Sequence, residues 1–165
     1  MPDNEFPKIK THPFREAQHR SVDATSAYSR ASMPYAELSV TSNYTFLRGA
    51  SHPEEFVARA AELGHAAAAI ADTNTLAGVV RAHVAAKEAG IPLAVGSRLV
   101  FEDGPDVLAF ATDRPSYSRL SRLLTLGKRR APKGECHLVL HDLLDHQEGL
   151  LAIVMPPRVL DDDAI

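Results

Sequence analysis

Residues 65–75 read HAAAAIADTNT, an apolar run that ends in a carboxylate and three polar residues. A continuous apolar run of this length, bounded by turn-forming residues, is typical of a buried β-strand. Residues 91–96 read IPLAVG and have the same character, and the segment between the two runs has helical spacing. Alternation of helices with fully apolar strands predicts an α/β fold with a parallel sheet covered by helices.

Two further elements are predicted upstream of this unit. Apolar and polar residues alternate over residues 36–40, which predicts a strand. The SHPE run at 51–54 combines an N-cap Ser51, an early proline and a glutamate three residues on, which together predict a helix start. Gly64 supplies the end of that helix.

The helix between the two apolar runs is predicted to follow a cap formed by residues 73–75 and to end at Gly90. Its spacing predicts one apolar face, formed by Leu76, Val79, Val80, His83 and Val84. We therefore interpret His83 as an ordinary packed histidine.

Downstream, residues 98–101 and 106–112 flank a turn-forming EDGP run and predict a hairpin. Asp113 is the expected cap of a third helix that ends at Gly127. We expect a loop over residues 128–135, a short strand over 137–140 and a buried strand over 150–155.

Composition sets limits on the kind of protein. The chain has 165 residues, 45% of them hydrophobic and 24% charged, as in an ordinary globular domain. A net charge of −3 gives no global basic field, and the single cysteine, Cys136, fits a reducing compartment. No apolar stretch reaches the length of a membrane span, and the N-terminus lacks the apolar core of a secretory signal, so we expect a cytoplasmic protein with no membrane partner.

The composition changes at Met33, which is the domain boundary that the sequence predicts. Residues 1–33 are polar and aperiodic, so we expect a disordered N-terminal extension, with Met33 as an alternative start. Residues 34–157 form the predicted domain, and residues 158–165 form an acidic tail.

The chain lacks the common catalytic motifs. It contains no glycine-rich phosphate loop, no GxSxG nucleophile motif and no CxxC pair. Residues 137–146 hold three histidines and two aspartates, a candidate metal-binding group, but their spacing favours a solvated surface. The basic run KRRAPK at 128–133 is explained by the dipole of the preceding helix, with nucleic-acid contact as the sharper alternative.

Several long stretches occur together in an order that resembles a known family. They are YAELSVTSNYTFLRGASHPEEFVARAAELG, AIADTNTLAGVVRAHVAAKEAGIPLAVGS and KGECHLVLHDLLDHQEGLLAIVMPP. These stretches resemble the N-terminal PHP (polymerase and histidinol phosphatase) domain of bacterial C-family DNA polymerases, in particular the error-prone, polymerase III α-like branch. The resemblance implies a (β/α)7 barrel.

Active PHP domains hold divalent metals such as Zn, Mn or Mg at the mouth of the barrel and hydrolyse phosphoesters. The resemblance places the first His-x-His ligand pair at Ser39 and Thr41. It places an Asp-His pair at Asp72 and Thr73, and a metal-binding glutamate at Arg98. Hydroxyls are poor ligands for divalent metals, and a guanidinium repels them, so we expect a vestigial site with no metal and no catalytic residue. We further expect Arg98 to pair with Asp72 in place of the metal.

The resemblance also implies a partial barrel of about four or five β/α units and a chain without polymerase activity. The expected role is a structural scaffold within an error-prone polymerase that synthesises DNA past damage. Its partner would be the polymerase core of the same or another chain, and DNA would be contacted only through the intact enzyme. Two alternatives stay open: a metal-dependent phosphoesterase that uses Asp72 with His83 or the 137–146 group, and a stand-alone module that self-associates through open sheet edges.

Overall fold

The computed structural model describes residues 34–156, and the predicted extension and acidic tail lie outside these residues. The elements in chain order are α1 (Pro53–Glu62), β1 (Ala68–Thr73), α2 (Val79–Ala89), β2 (Leu93–Leu99), β3 (Val107–Ala111), α3 (Arg114–Arg130), α4 (Leu140–His146) and β4 (Leu150–Val154). The four strands form one sheet in the order β1-β2-β3-β4. The α/β class is confirmed. None of the described helices is long and apolar enough to cross a membrane.

The sheet is mixed, so the prediction of a parallel sheet is wrong beyond its first pair. β1 and β2 are parallel, whereas β2–β3 and β3–β4 are antiparallel. The predicted hairpin is confirmed, although residues 93–99 form one strand rather than the ends of two. Gly96 lies inside this strand, where a side chain would not fit because its Cβ would lie 2.4 Å from the Phe110 ring on the paired strand.

The predicted strand over residues 36–40 does not form. The segment is extended and runs parallel to β1, with hydrogen bonds from Ala66 N to Tyr35 O and from Ala71 N to Val40 O, both 2.8 Å. The Ser39 N–H donates instead to the Glu37 carboxylate at 2.9 Å, which diverts a backbone donor from a regular ladder.

Helix α1 begins one residue later than predicted. Its N-cap is His52, whose N–H donates to the Glu55 carboxylate at 2.8 Å, and Gly64 follows its end with φ 71° as expected. Residues 73–75 do not cap α2, because Asn74 adopts φ 51° and accepts a hydrogen bond from Val100 N at 3.1 Å.

Helix α2 buries only part of the predicted face: Val79 is buried as predicted, but Val80, His83 and Val84 are exposed. Small residues, Ala82 and Ala86, pack against Val57 and Ile70, whereas Val80 is 72% exposed. His83 is exposed, so its interpretation as a packed residue is wrong. The small alanine side chains let α1 and α2 approach closely. A prediction based on large apolar residues therefore does not identify this buried face.

Helix α3 is capped as predicted, with Ser116 N donating to Asp113 at 2.7 Å. It continues to Arg130, past the expected end, because Gly127 is buried and its bare Cα faces Cys136 and Leu138. Residues 137–140 are not a strand, since Leu140 begins α4 and its N–H donates to Asp103 at 2.7 Å.

Strand β4 forms where predicted but is exposed rather than buried. Leu151 and Val154 are each 63% exposed, and Ile153 is 40% exposed. β4 pairs with β3 on one side and is the last strand of the sheet that the structure describes. Apolar side chains therefore stand in solvent along this edge.

Candidate functional site

Asp72 is the buried polar centre of the region that the sequence singled out. Its side chain lies at the carboxyl end of β1 and is 1% exposed. The carboxylate accepts three hydrogen bonds: from Ser42 N at 2.7 Å, from Ser42 Oγ at 2.7 Å and from Thr45 Oγ1 at 2.9 Å. A buried carboxylate requires such donors, and here they come from the loop that follows the extended 35–40 segment.

The same loop satisfies the next residue of the site. Thr45 Oγ1 accepts from Thr73 N at 2.9 Å, so this one hydroxyl links the Asp72 carboxylate to the backbone after β1. On the opposite side Ser97 Oγ donates to the Asp72 carbonyl at 2.8 Å. The end of β1 is therefore held by hydroxyl groups on both sides.

Gly78 closes the site because it leaves room for the carboxylate. A Cβ at this position would lie 3.0 Å from Asp72 Oδ2, 2.9 Å from Pro53 and 3.1 Å from the Tyr44 ring. Pro53, at the start of α1, and the Tyr44 ring therefore pack against Gly78 beside the Asp72 carboxylate, which is 1% exposed.

Ser39 and Thr41 do not bond to Asp72. Both line a cleft of about 300 Å³ between the 37–41 segment and α1, together with Phe56, Arg59 and His65. Glu37 lies in the same cleft, and the Ser39 N–H and the Tyr35 hydroxyl lower the pKa of its carboxyl group. Ser39 and Thr41, which occupy the positions of the family's His-x-His pair, therefore line this cleft and do not contact Asp72.

Arg98 does not pair with Asp72, so that expectation is wrong. Its guanidinium bonds to Asp106 Oδ2, with Nη2 at 2.6 Å and Nε at 2.8 Å. Asp106 precedes β3, and the β2–β3 hairpin brings the two side chains to one edge. Asp72 needs no cation because three neutral donors already satisfy it.

The 137–146 group does not converge on one point. His137 lies between Glu102, at 2.6 Å from Nδ1, and Glu135, at 3.2 Å from Nε2, and Glu135 and then Glu102 raise its pKa. Asp142 is engaged by Arg130, which is the main cause of its lowered pKa. His146 Nδ1 bonds to the Asp142 carbonyl at 2.8 Å.

The residues do not fit the metal cluster that active PHP domains carry. Within residues 34–156 no three histidine, cysteine, aspartate or glutamate side chains lie close enough to hold one ion. Both oxygens of Asp72 already accept hydrogen bonds from the chain, and Thr73 and Arg98 offer no lone pair suited to a divalent cation.

Sequence reasoning missed several residues of this arrangement, namely Ser42, Thr45, Gly78 and Ser97. Ser42 and Thr45 belong to a polar run, TSNYT, directly after the predicted first strand, and that run was the available signal. Gly78 lies inside the predicted second helix, and Ser97 lies between the predicted strands 91–96 and 98–101, where no local pattern indicated a role for either residue.

Comparison with known proteins identifies the family. Residues 37–160 match the PHP domain family. The error-prone DNA polymerase of Caulobacter vibrioides is 57% identical over 129 residues, which cover 78% of this chain and 12% of that protein. The error-prone DNA polymerase of Rhodopseudomonas palustris is 50% identical over 136 residues, covering 79% and 12%. Among solved structures, a proposed metal-dependent phosphoesterase from Bifidobacterium adolescentis has 31% identity and a TM-score of 0.47, and the match covers 57% of this chain and 33% of the other.

The chain therefore belongs to the PHP domain family. Within it, the chain is similar to the PHP domain of bacterial error-prone DNA polymerases, and it spans about one eighth of the length of those relatives.

Proposed function

We propose that this chain is part of the PHP domain of an error-prone DNA polymerase and serves there as a structural scaffold without phosphoesterase activity. The high identity to two such polymerases supports the assignment to this branch. Translesion synthesis would belong to the intact enzyme, in the cytoplasm, and this chain alone would have no polymerase activity.

The single observation that carries the loss of metal chemistry is the state of Asp72. Among the vestigial positions it is the one residue whose side chain is a metal ligand, and its oxygens are turned to Ser42 and Thr45. Because the carboxylate is 1% exposed, a metal ion would have to displace these donors from a closed site. A hydrogen-bonded aspartate in this position pins the loop at 42–45 to β1, which is a structural role.

The exposed apolar surface supports the scaffold role. Leu151, Ile153 and Val154 stand exposed along β4, and Phe46 and Leu47 are 84% and 89% exposed on the loop beside Asp72. Contiguous exposed apolar residues on a soluble domain mark surfaces that another element covers. We assign the β4 edge to the strands that complete a (β/α)7 barrel, of which this chain supplies a part, and the 46–47 loop to the polymerase core.

The test is whether this chain associates with the rest of an error-prone DNA polymerase. The remainder of a close relative, such as the Caulobacter polymerase without its matching residues, is co-purified with this chain. The proposal predicts a stable one-to-one complex, and β4 variants with Ile153→Lys should abolish it. The matched control Arg59→Lys lies on the exposed side of α1 and should leave the complex intact.

Self-association is the second candidate that the exposed β4 edge favours. Light scattering on the purified chain separates the two. A dimer that persists in the presence of the polymerase remainder would contradict the scaffold proposal, whereas a monomer that joins the remainder supports it.

A further inference from the structure

Helix α3 carries a charge pattern that its own stability does not require. Its 17 residues include six basic residues and no acidic one, while the whole chain has a net charge of −3. The helix dipole favours Lys128, Arg129 and Arg130 in the last turn. It does not favour Arg114 in the first turn, and it leaves Arg122 in the middle unexplained.

Four of these six cations, Arg114, Arg122, Lys128 and Arg129, have no ionic partner within residues 34–156. Arg119 bonds to Glu148 and Arg130 bonds to Asp142, so their charges are balanced. Arg122 and Arg129 form no salt bridge with any described side chain, and both are exposed. They lie seven residues apart, which is two helical turns and about 10 Å along one face of α3.

These two arginines line an open groove of about 750 Å³. Arg130 also lines the groove, but its charge is paired with Asp142. The other lining residues are polar, among them Ser118, Thr125 and His146, except for Leu126. No carboxylate is among them. The groove therefore presents two guanidinium groups without a salt-bridge partner, Arg122 and Arg129, together with hydroxyl groups, and none of its lining residues is acidic.

The chemistry of the groove selects among anionic partners. Protein interfaces have an apolar or aromatic centre, which this groove lacks. Single-stranded nucleic acids are held by aromatic side chains that stack on bases, and no aromatic side chain lines the groove. Arginine and hydroxyl side chains are the common donors to backbone phosphates of a duplex.

We infer that the α3 groove, through Arg122 and Arg129, binds the phosphate backbone of duplex DNA without sequence preference. The choice of DNA rests on the proposed polymerase context. The contact itself rests on α3 and is independent of Asp72 and β4. This departs from the expectation that DNA is reached only through other parts of the intact enzyme.

The test is the salt dependence of binding to a short fluorescein-labelled DNA duplex, followed by anisotropy with the full chain. Each phosphate contact contributes about 0.9 to the slope of log affinity against log salt. The Arg122→Gln/Arg129→Gln double variant should lower that slope by about 1.8. When the salt concentration rises from about 50 to about 200 mM, the fold-loss of affinity should therefore be about 12 times smaller for the double variant than for the wild-type chain.

The matched control is Arg48→Gln/Arg59→Gln, which removes the same charge from exposed positions outside α3. It should keep the wild-type slope, and circular dichroism should show both double variants folded. Equal slopes for the two double variants would overturn the inference, because binding would then follow net charge alone. No binding of the wild-type chain at about 50 mM salt would overturn it, as would equally tight binding of a polyglutamate peptide. Metal content and association with the polymerase remainder do not involve this groove, so failure here is separable from failure of the proposed function.

Discussion

Removing the Asp72 carboxylate should destabilise the domain strongly. Asp72→Ala leaves the Ser42 N–H, the Ser42 hydroxyl and the Thr45 hydroxyl without their acceptor in a site that is 1% exposed. A buried donor left unpaired costs about 1–3 kcal/mol. The two hydroxyls can rotate to other acceptors, whereas the backbone N–H cannot, so we expect a total loss of about 3–5 kcal/mol.

A graded series separates hydrogen bonding from the loss of volume. Asp72→Asn keeps the shape and one acceptor oxygen, so the free energy of unfolding should fall by only about 1–2 kcal/mol. Asp145→Ala makes the same chemical change at a side chain that is 62% exposed, and it should alter stability by less than about 0.5 kcal/mol.

Urea unfolding followed by far-ultraviolet circular dichroism measures all three variants. Asp145→Ala should destabilise the domain least, Asp72→Asn more, and Asp72→Ala most. If Asp72→Ala unfolds within about 0.5 kcal/mol of Asp145→Ala, the reasoning that Asp72 anchors the loop is refuted.

Three further outcomes follow from other contacts. Arg98→Ala should lower the free energy of unfolding by only about 1 kcal/mol, because solvent reaches the Arg98–Asp106 pair, whose side chains are 23% and 26% exposed, and weakens it. In urea unfolding, Asp106→Asn should cost a similar amount, and the double variant should cost little more than either single variant. Gly127→Ala should destabilise by about 1–2 kcal/mol despite better helix propensity, because its Cβ would lie 2.7 Å from buried Leu138, whereas Ser118→Ala on the exposed face of α3 should be neutral in thermal melts. Arg130 is the main cause of the lowered pKa of Asp142, so this pair contributes stability that is present at neutral pH and is lost as the pH falls through that lowered pKa. Asp142→Asn should therefore reduce the fall in stability measured between about pH 5 and pH 2. An unchanged fall in the variant would exclude the pair as its source.

The sequence predicted the elements that local patterns define. Gly64, Gly90 and Asp113 mark helix ends and a helix start where the structure has them, because capping is decided within a few residues. The buried run of β1, the strand β2 and the hairpin after it were also predicted, since apolar periodicity and turn chemistry are local properties, although the first three residues of β2 are only half-buried.

The errors arise where a distant contact overrides the local pattern. The last turn of α3 passes Gly127 because Leu138, eleven residues on, packs into the space that a side chain would fill. β4 reads as a buried strand, yet it is exposed because no further strand covers it within residues 34–156. Both depend on tertiary packing that no window of sequence contains.

The sequence drew attention to Asp72 but did not predict its hydrogen-bond partners. The structure places Asp72 and Thr73 at the end of β1, and Arg98 lies on the neighbouring strand in register with Thr73. The resemblance did not predict that Ser42 and Thr45 would take the place of a cation, because a charge pair is easier to propose from sequence than a set of neutral donors.

The metal content of the purified chain tests the central claim most directly. Inductively coupled plasma mass spectrometry after dialysis reports zinc, manganese and magnesium per chain. A hydrogen-bonded Asp72 within a scaffold predicts metal far below one ion per chain, with no change on Asp72→Asn. One or more tightly bound ions per chain, lost in Asp72→Asn but retained in Asp145→Ala, would contradict the account and establish a metal site there.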